Sequence, residues 1–315
     1  MRVLITGVTG FAGLHLLEAL ADSDAEIFGI SRRPQFVAPE PLRNRLAYFS
    51  CDLVDQSGVE RLLRQIQPQQ IYHLAGYASP GESLRHPRAA WRGNLEATLS
   101  LYEAVVAWGE TPRLLYVSSG LIYGEPTETG EAFHEGAPLR PVNPYGASKA
   151  AADLASFQYT RFPGLPIIRA RPFNHIGPRQ SPQFAIAHFA QQIAAIEKGQ
   201  HPPVLETGDL RPLRDVCDVR DVVSAYILLM ESGRVGEAYN VASGTAIAIG
   251  DLLHELVSQA KVKVVVKQRE ELMRAKESKA VRGDNSKIRN ELGWSPKRSL
   301  QQSLADVLEY WRQQY

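Results

Sequence analysis

A tyrosine and a lysine four residues apart are the first candidates for chemistry in this chain. Tyr145 and Lys149 lie in the segment NPYGASKA, residues 143–150. On a helix, side chains four apart share one face. A free tyrosine has a pKa near ~10 and transfers protons poorly at neutral pH, whereas a neighbouring ammonium stabilises the phenolate. The pair therefore predicts proton transfer to or from a carbonyl or alcohol oxygen, although the spacing alone is common by chance.

Three glycines follow the first apolar run at a spacing that suits a bound dinucleotide. They lie in the segment GVTGFAG, residues 7–13, directly after VLIT. Gly7 permits a tight turn, Gly10 lets the backbone approach a pyrophosphate, and Gly13 lets the following helix pack closely on the strand. The helix N-terminus supplies free amides and the positive end of its dipole. The GxxGxxG spacing at this position predicts a dinucleotide cofactor.

The end of the second apolar run bears on which dinucleotide is bound. An NAD site usually carries an acid about 20 residues beyond the glycines, where it binds the ribose hydroxyls. This chain has Ser31, Arg32 and Arg33 there instead. A guanidinium can bind a 2′-phosphate through two hydrogen bonds, whereas a carboxylate would repel it. The segment favours NADP(H), with NAD as the alternative if these arginines are solvated loop charges.

Short β-rich runs alternate with segments of helical period as far as Pro172. The runs that read as strands are VLITG, EIFGI, LAYFS, QIYHLAG, RLLYVSS and LPIIRARP. This alternation predicts an α/β fold, a doubly wound parallel (Rossmann) sheet with helices on both faces. We assign residues 1–172 to an NAD(P)-binding domain, with a return segment near 215–250. Residues 173–315 are assigned mainly to a smaller, mixed substrate-binding lobe.

Charge and composition exclude several kinds of partner. The 315 residues carry 35 Lys and Arg against 34 Asp and Glu, a formal net charge of +1. Such balance gives no field that would attract nucleic acid or an anionic membrane. No targeting segment or membrane-spanning run is visible, and no Cys/His cluster has the spacing of a metal site. Cys51 and Cys217 are the only cysteines, which fits a reducing cytoplasm.

These motifs together resemble the extended short-chain dehydrogenase/reductase family over nearly the whole chain. The residues that carry the resemblance are Gly7, Gly10, Gly13, Asn94 in RGNLEAT, Ser119, Tyr145 and Lys149. The resemblance implies that Ser119 hydrogen-bonds the substrate oxygen and that Tyr145 transfers the proton. Lys149 would hold the nicotinamide ribose and lower the tyrosine pKa.

The resemblance and the residues above give one candidate cofactor site for NADP(H). Asp52 is expected to close the adenine pocket, and Ala75 and Gly76 leave room beside the cofactor. The candidate cofactor-binding residues are Gly7, Thr9, Gly10, Phe11, Gly13, Ser31, Arg32, Asp52, Leu53, Ala75, Gly76, Asn94, Tyr145 and Lys149.

The turn after Ser119 indicates which reaction the site supports. In 4,6-dehydratases of this family, acids that drive loss of water stand after the serine, and in GDP-fucose synthase relatives a cysteine serves epimerisation. Elimination needs a general acid and a base, and Gly120 and Leu121 can be neither. Hydride transfer with one proton transfer remains, which suits a keto-sugar reductase or a 4-epimerase.

The segment RARPFNHIGPRQSPQF favours the reductase. It resembles the corresponding segment of reductases that act on GDP-linked 4-keto-6-deoxy sugars, so the expected product is a GDP-6-deoxyhexose, GDP-D-rhamnose. The implied substrate-binding residues are Ser119, Asn174, Gln183 and Arg214. Arg211 and Arg214 have the alternative of a solvated loop. We read His175 as a packed loop residue, and Arg274, Lys276 and Lys279 as a solvated face.

Three further expectations complete the sequence analysis. The family resemblance predicts a homodimer built on two long helices per subunit, here about 94–108 and 145–161. Phe157, Tyr159 and Phe162 are expected to pack between helices. The alternatives to the reductase are a nucleotide-sugar 4-epimerase that retains oxidised cofactor, and a cofactor-sensing protein without catalysis. Retention of Tyr145 and Lys149 counts against the last.

Overall fold

The computed structural model describes residues 1–125, 131–273 and 280–315. The strands are β1 (Arg2–Thr6), β2 (Glu26–Ser31), β3 (Leu46–Ser50), β4 (Gln70–His73), β5 (Arg113–Val117), β6 (Ile167–Pro172), β7 (Asn174–Ile176), β8 (Val204–Thr207), β9 (Leu213–Asp218), β10 (Ala238–Val241), β11 (Ala246–Ala248), β12 (Val265–Gln268) and β13 (Ala280–Val281). The α-helices are α1 (Phe11–Ala21), α2 (Gln56–Ile66), α3 (Pro80–Arg85), α4 (Pro87–Trp91), α5 (Ala97–Trp108), α6 (Pro144–Arg161), α7 (Ala185–Glu197), α8 (Val219–Ser232), α9 (Ile249–Ser258), α10 (Ser286–Leu292) and α11 (Leu300–Arg312).

A parallel sheet with the strand order β10-β6-β5-β4-β1-β2-β3 forms the centre of the fold. All neighbouring strands in it run parallel. The chain reverses its direction of travel across the sheet at β1, which lies between β2 and β4. Ligands of such sheets bind beyond the carboxyl ends of the strands at this switch point. The predicted α/β class is confirmed.

Apolar side chains cover both faces of the sheet. In β1, Val3 and Ile5 join a buried cluster with residues of α1 and α8, whereas Leu4 joins a second cluster with residues of α2 and α5. Successive side chains of a strand point to opposite faces. The continuous apolar run of β1 therefore reflects a strand that is buried on both sides.

Strands outside the main sheet and three of the helices form a smaller unit. Strands β7, β9, β11 and β13 make one sheet, and β8 pairs with β12. Helices α7, α9 and α11 share a separate apolar core. Strand β10 returns to the main sheet beside β6, and the division of the chain into two domains remains a prediction. Arg274, Lys276 and Lys279 lie outside the described residues.

The two helices expected at a dimer interface differ in detail from their predictions. The first begins with a π-helical segment, Arg92–Glu96, which continues into α5. The second is α6, which starts at Pro144 because Asn143 caps it and accepts a hydrogen bond from the Gly146 amide at 2.8 Å. Within one subunit, the prediction that Phe157 and Phe162 pack between helices is wrong, since they are 44% and 78% exposed, whereas Tyr159 packs on Tyr102 of α5 with 5.1 Å between ring centres. In the described ranges, no helix has the length and apolarity needed to cross a membrane.

Candidate active site

The glycine turn after β1 has the geometry of a cofactor cradle. Gly7 has a φ of +72°, and a Cβ there would lie 2.7 Å from the Ala75 nitrogen. A Cβ on Gly13 would lie 2.3 Å from the Gly7 oxygen. Within the described chain no side chain caps α1 at Gly10, which is exposed. A helix start without a side-chain cap is what a pyrophosphate site requires. Thr9 and Phe11 beside Gly10 are half-buried.

The ends of β2 and β3 provide polar groups near this turn. The hydroxyls of Ser31 and Tyr48 are 2.8 Å apart, and Arg32 is exposed. Asp52 is half-exposed and forms a salt bridge of 3.0 Å with Arg92. Leu53, the next residue in the chain, is buried. A phosphate or ribose at the end of β2 would therefore meet Arg32 in solvent and not a carboxylate.

The segment after β4 joins the cofactor turn to the catalytic helix. A Cβ on Gly76 would lie 2.6 Å from Asn94 Oδ1 and 3.3 Å from Lys149 Nζ. The buried Asn94 side chain accepts from the Tyr77 amide at 2.8 Å and donates to Ser148 Oγ at 2.9 Å. The structure thus brings Gly76, Asn94 and Lys149 together, as a site for the nicotinamide half of a dinucleotide requires.

Burial controls the protonation of Tyr145. Removal of the phenol from water raises its pKa, and a hydrogen bond with Ser119 counteracts this in part. The direction is opposite to the lowering expected from the tyrosine–lysine spacing, because the effect of burial on the pKa outweighs that of the Ser119 hydrogen bond. Tyr145 therefore remains protonated at neutral pH and can donate a proton.

Lys149 lies one helical turn after Tyr145 in α6 and is 6% exposed. Its Nζ donates to the Val117 carbonyl at 2.8 Å and lies 5.3 Å from the centre of the Tyr116 ring. Burial lowers the pKa of Lys149 to about 8, while the charge of Asp153 opposes this change. At neutral pH the ammonium is thus retained beside Gly76.

A buried ion cluster fixes the catalytic helix on the sheet. Asp153 of α6 accepts hydrogen bonds of 2.7 Å from both Arg169 and Arg171 of β6. Arg171 also donates to the Tyr123 hydroxyl at 2.9 Å. These arginines hold the pKa of Asp153 below its usual range despite its burial. A buried carboxylate needs such partners, and here they tie α6 to β6 and to the turn at Tyr123.

The turn after Ser119 is closed by an aromatic ring. Ser119 Oγ accepts from the Leu121 amide at 3.1 Å and caps the 3-10 turn Gly120–Ile122. A Cβ on Gly120 would lie 2.9 Å from two carbons of the buried Phe173 ring. That ring also stacks on Tyr123 with 6.2 Å between ring centres. Position 120 therefore has no room for a side chain while Phe173 stays in place.

The proposed substrate residues fall in the smaller unit. Asn174 in β7 is exposed and pairs with Val216 of β9, two residues beyond Arg214. Arg214 is buried and donates to the Leu213 carbonyl at 2.9 Å. Gln183 is exposed on the loop before α7. Their contacts with a substrate remain a prediction.

The structure shows whether Arg211 is a solvated loop residue and whether His175 is packed. Arg211 is exposed and pairs with Asp209 through two hydrogen bonds of 2.9 and 2.8 Å, as a solvated loop residue would. His175 packs: its ring stacks on Phe11 with 5.8 Å between centres, and its Nδ1 lies 3.0 Å from the Phe173 carbonyl.

Sequence reasoning missed several residues that build the site. Ser83 Oγ accepts from the Tyr145 amide at 3.1 Å and so positions the first turn of α6. Phe173 closes the turn at Gly120, and buried His73 lies 2.9 Å from the hydroxyl of Thr98, one helical turn after Asn94. The ring and the turn are 53 positions apart, so no local pattern connects them. Only His73, at the end of an apolar strand, carries a visible signal.

The fold and the Ser–Tyr–Lys site define an NAD(P)-dependent enzyme of the extended short-chain dehydrogenase/reductase type. The family model described as GDP-mannose 4,6 dehydratase matches residues 4–307, and the chain belongs to this family. It is similar to GDP-6-deoxy-D-mannose reductase of Pseudomonas aeruginosa, with 36% identity over 98% of this chain and 97% of the relative. It is also similar to dTDP-glucose 4,6-dehydratase of Xanthomonas campestris, with 32% identity over 82% of this chain and 77% of the relative.

Solved structures agree with this family. RMD from Pseudomonas aeruginosa complexed with NADPH matches with a TM-score of 0.87 and 35% identity, covering 100% of this chain and 99% of that one. UDP-glucose 4-epimerase from Thermus thermophilus in complex with NAD matches with a TM-score of 0.87 and 30% identity, covering 99% of each chain. The fold is thus shared by reductases and epimerases, and the residues of the site must distinguish the two.

Proposed function

We propose that this enzyme reduces the C4 carbonyl of GDP-4-keto-6-deoxy-D-mannose with NADPH and forms a GDP-6-deoxyhexose, GDP-D-rhamnose. The full-length similarity to GDP-6-deoxy-D-mannose reductase supports this substrate. The similarity to the NADPH-bound RMD structure supports the cofactor.

The contact between Gly120 and Phe173 argues against the dehydratase reaction. Dehydration requires an acid at the leaving hydroxyl and a base at the acidic carbon. A carboxylate at position 120 would collide with the Phe173 ring, and Leu121 cannot titrate. The site keeps one proton donor, Tyr145, which is what reduction of a carbonyl needs.

The residues of the cleft fit NADPH, which supplies the hydride when bound. Gly7 and the start of α1 would hold the pyrophosphate, whose oxygens would accept from backbone amides, and Lys149 with Asn94 would hold the nicotinamide ribose. Ser119 donates a hydrogen bond to the substrate oxygen, and Tyr145 delivers the proton to it. Two donors at the developing alkoxide stabilise charge where it forms, and this accelerates the reaction.

Cofactor preference and substrate binding depend on separate residues. Arg32, exposed at the end of β2, recognises the 2′-phosphate of NADPH. Arg214, Asn174 and Gln183 bind the nucleotide sugar, with Arg214 at its pyrophosphate. Because unpaired polar groups in a site reject the wrong ligand, UDP- and dTDP-linked keto sugars are expected to be poor substrates.

The assembly and location are part of the proposal. Leu154 and Phe157, three residues apart on α6, are 57% and 44% exposed. An apolar pair on one helix face supports a homodimer through α5 and α6. Free Cys51 and Cys217 support a cytoplasmic location.

The direct test is NADPH oxidation with freshly made GDP-4-keto-6-deoxy-D-mannose, compared with its UDP and dTDP analogues at equal concentration. We expect kcat/KM to be at least ~10²-fold higher for the GDP-linked sugar, the discrimination that a polar pocket achieves. Equal rates for all three would contradict the GDP assignment. Release of a 4-epimer from a UDP-hexose without net NADPH consumption would replace the reductase by an epimerase.

A further inference from the structure

A fully buried histidine lies between the end of β1, which leads into the glycine turn, and helix α5, and the proposed mechanism does not use it. His73 ends β4 and is 0% exposed. Its Nδ1 is 2.8 Å from Thr6 Oγ1, and its Nε2 is 2.9 Å from Thr98 Oγ1. Thr6 immediately precedes Gly7, and Thr98 lies one helical turn after Asn94. The ring thus bridges two segments that the cofactor must contact.

The partners of Thr98 determine which nitrogen of His73 carries the proton. Thr98 Oγ1 lies 2.5 Å from the Asn94 carbonyl, which can only accept. The single hydroxyl proton of Thr98 is therefore used there, and the same oxygen must accept from His73. It follows that Nε2 of His73 is protonated.

The hydrogen bonds at Nδ1, on the other side of the His73 ring, agree with this assignment. The Ala75 amide donates to Thr6 Oγ1 at 3.2 Å. The Thr6 hydroxyl is then free to donate to an unprotonated Nδ1 of His73. Burial and the charge of Lys149 lower the pKa of His73 to about 3, so a second proton is not added at neutral pH. Every donor in the chain finds one acceptor.

We propose that His73 is a positioning residue whose proton is fixed on Nε2. Through this proton it aligns the glycine turn after β1 with the helix that carries Tyr145. The hydrogen bonds run in one direction from the Ala75 amide through Thr6, His73 and Thr98 to the Asn94 carbonyl.

Asn94 passes this alignment to the catalytic residues. Its side chain donates to Ser148 Oγ at 2.9 Å, and Ser148 Oγ donates to the Tyr145 carbonyl at 2.9 Å. Asn94 Oδ1 also accepts from the Tyr77 amide, and a Cβ on Gly76 would lie 2.6 Å from the same oxygen. A change at His73 should therefore alter how the nicotinamide meets Tyr145, while the distant binding of the nucleotide sugar is unaffected.

The tautomer can be read directly in the native protein. In ¹⁵N-histidine-labelled enzyme, the signal missing from His73→Gln identifies His73 among the eight histidines. We expect the neutral Nε2–H form, unchanged between about pH 6 and pH 8, since a group titrates near its own pKa. A neutral Nδ1–H form, or titration in this range, would overturn the proposal.

Two variants test the positioning role. His73→Phe fills the space but makes neither hydrogen bond, whereas the amide of His73→Gln can still donate to Thr98. We expect the Phe variant to lose about tenfold or more in kcat, corresponding to about 1.4 kcal/mol of transition-state stabilisation. The KM for the nucleotide sugar should change little. The His73→Gln variant should have a higher kcat than the His73→Phe variant, although the two variants have the same Tm.

If kcat falls only in step with Tm in both variants, His73 is structural and the proposal fails. The kcat comparison rests on the proposed reductase reaction. The tautomer measurement and titration of NADPH by its fluorescence, in which the Phe variant should bind more weakly than Gln, need no nucleotide sugar. A failed substrate assignment would therefore leave these two results intact, and equal NADPH affinity of both variants and the wild type would count against His73 alone.

Discussion

In the proposed mechanism, the protonation of Tyr145 and Lys149 governs proton transfer. The raised pKa of the Tyr145 phenol keeps a proton available for the substrate oxygen. The lowered pKa of the Lys149 ammonium, about 8, places its titration close to neutral pH. A reductase benefits from this arrangement because its tyrosine must start protonated. In the proposed mechanism, Lys149 would act by its charge and by binding the ribose, and not by ionising the phenol in advance.

The alkaline limb of the pH profile should report Lys149. Its ammonium is present below a pKa of about 8 and is lost as the pH rises through that value. The phenol stays protonated across the same range because its pKa is raised. We expect kcat/KM to fall above pH of about 8, and the fall to move to higher pH in Lys149→Arg, since a guanidinium remains charged. A limb that does not move in this variant would assign the titration to another group.

Arg32 should decide the preference for NADPH. The exposed guanidinium at the end of β2 attracts the 2′-phosphate, and an aspartate would repel it. Wild type should show higher kcat/KM with NADPH than with NADH, and Arg32→Asp should reverse the order. Arg43→Asp, a change of equal charge at an exposed site paired with Glu40, serves as the control and should keep the order. Equal efficiencies in the wild type would contradict this role.

The packing of the β6–β7 connection on the Ser119 turn should be measurable as a coupling. Gly120→Ala adds one methyl group against the Phe173 ring and should cost about 1–3 kcal/mol in the free energy of unfolding, as overpacking does. In a Phe173→Ala background the same change should cost close to nothing, because the ring is gone. Urea denaturation of the four proteins gives the coupling energy. An equal cost in both backgrounds would show that the ring does not exclude a side chain at position 120.

Local patterns predicted the strands and helices of the main sheet well. The apolar runs became β1 to β6. Of these, β1, β4, β5 and β6 are largely buried, whereas the edge strand β3 has no buried residue. The glycine turn, the Asn143 cap and the Tyr145–Lys149 face could also be predicted, since neighbours in sequence create them. The Gly120–Phe173 contact and the His73 chain could not, because they join residues from separate strands. The direction of the Tyr145 pKa also depends on burial, which spacing does not reveal.

Assembly of the whole molecule should depend on the outer face of α6. Leu154 and Phe157 leave two large apolar side chains in solvent on a helix that carries the catalytic tyrosine. Replacing both by glutamate should convert a dimer to a monomer in light scattering, because burying charge at an interface is costly. Val265→Glu, at a 52% exposed apolar residue of β12, should leave the dimer intact. A wild type that is monomeric at micromolar concentration would contradict the proposed interface.

Transfer of deuterium tests the proposed reaction most directly. NADPH deuterated on the transferable position of nicotinamide C4 is incubated with GDP-4-keto-6-deoxy-D-mannose, and the product is analysed by mass spectrometry and NMR. The account predicts a GDP-6-deoxyhexose with one deuterium at C4, one NADPH oxidised per product, and a rate reduced ~10²-fold or more in Tyr145→Phe. A product without deuterium, or turnover with no net loss of NADPH, would contradict it.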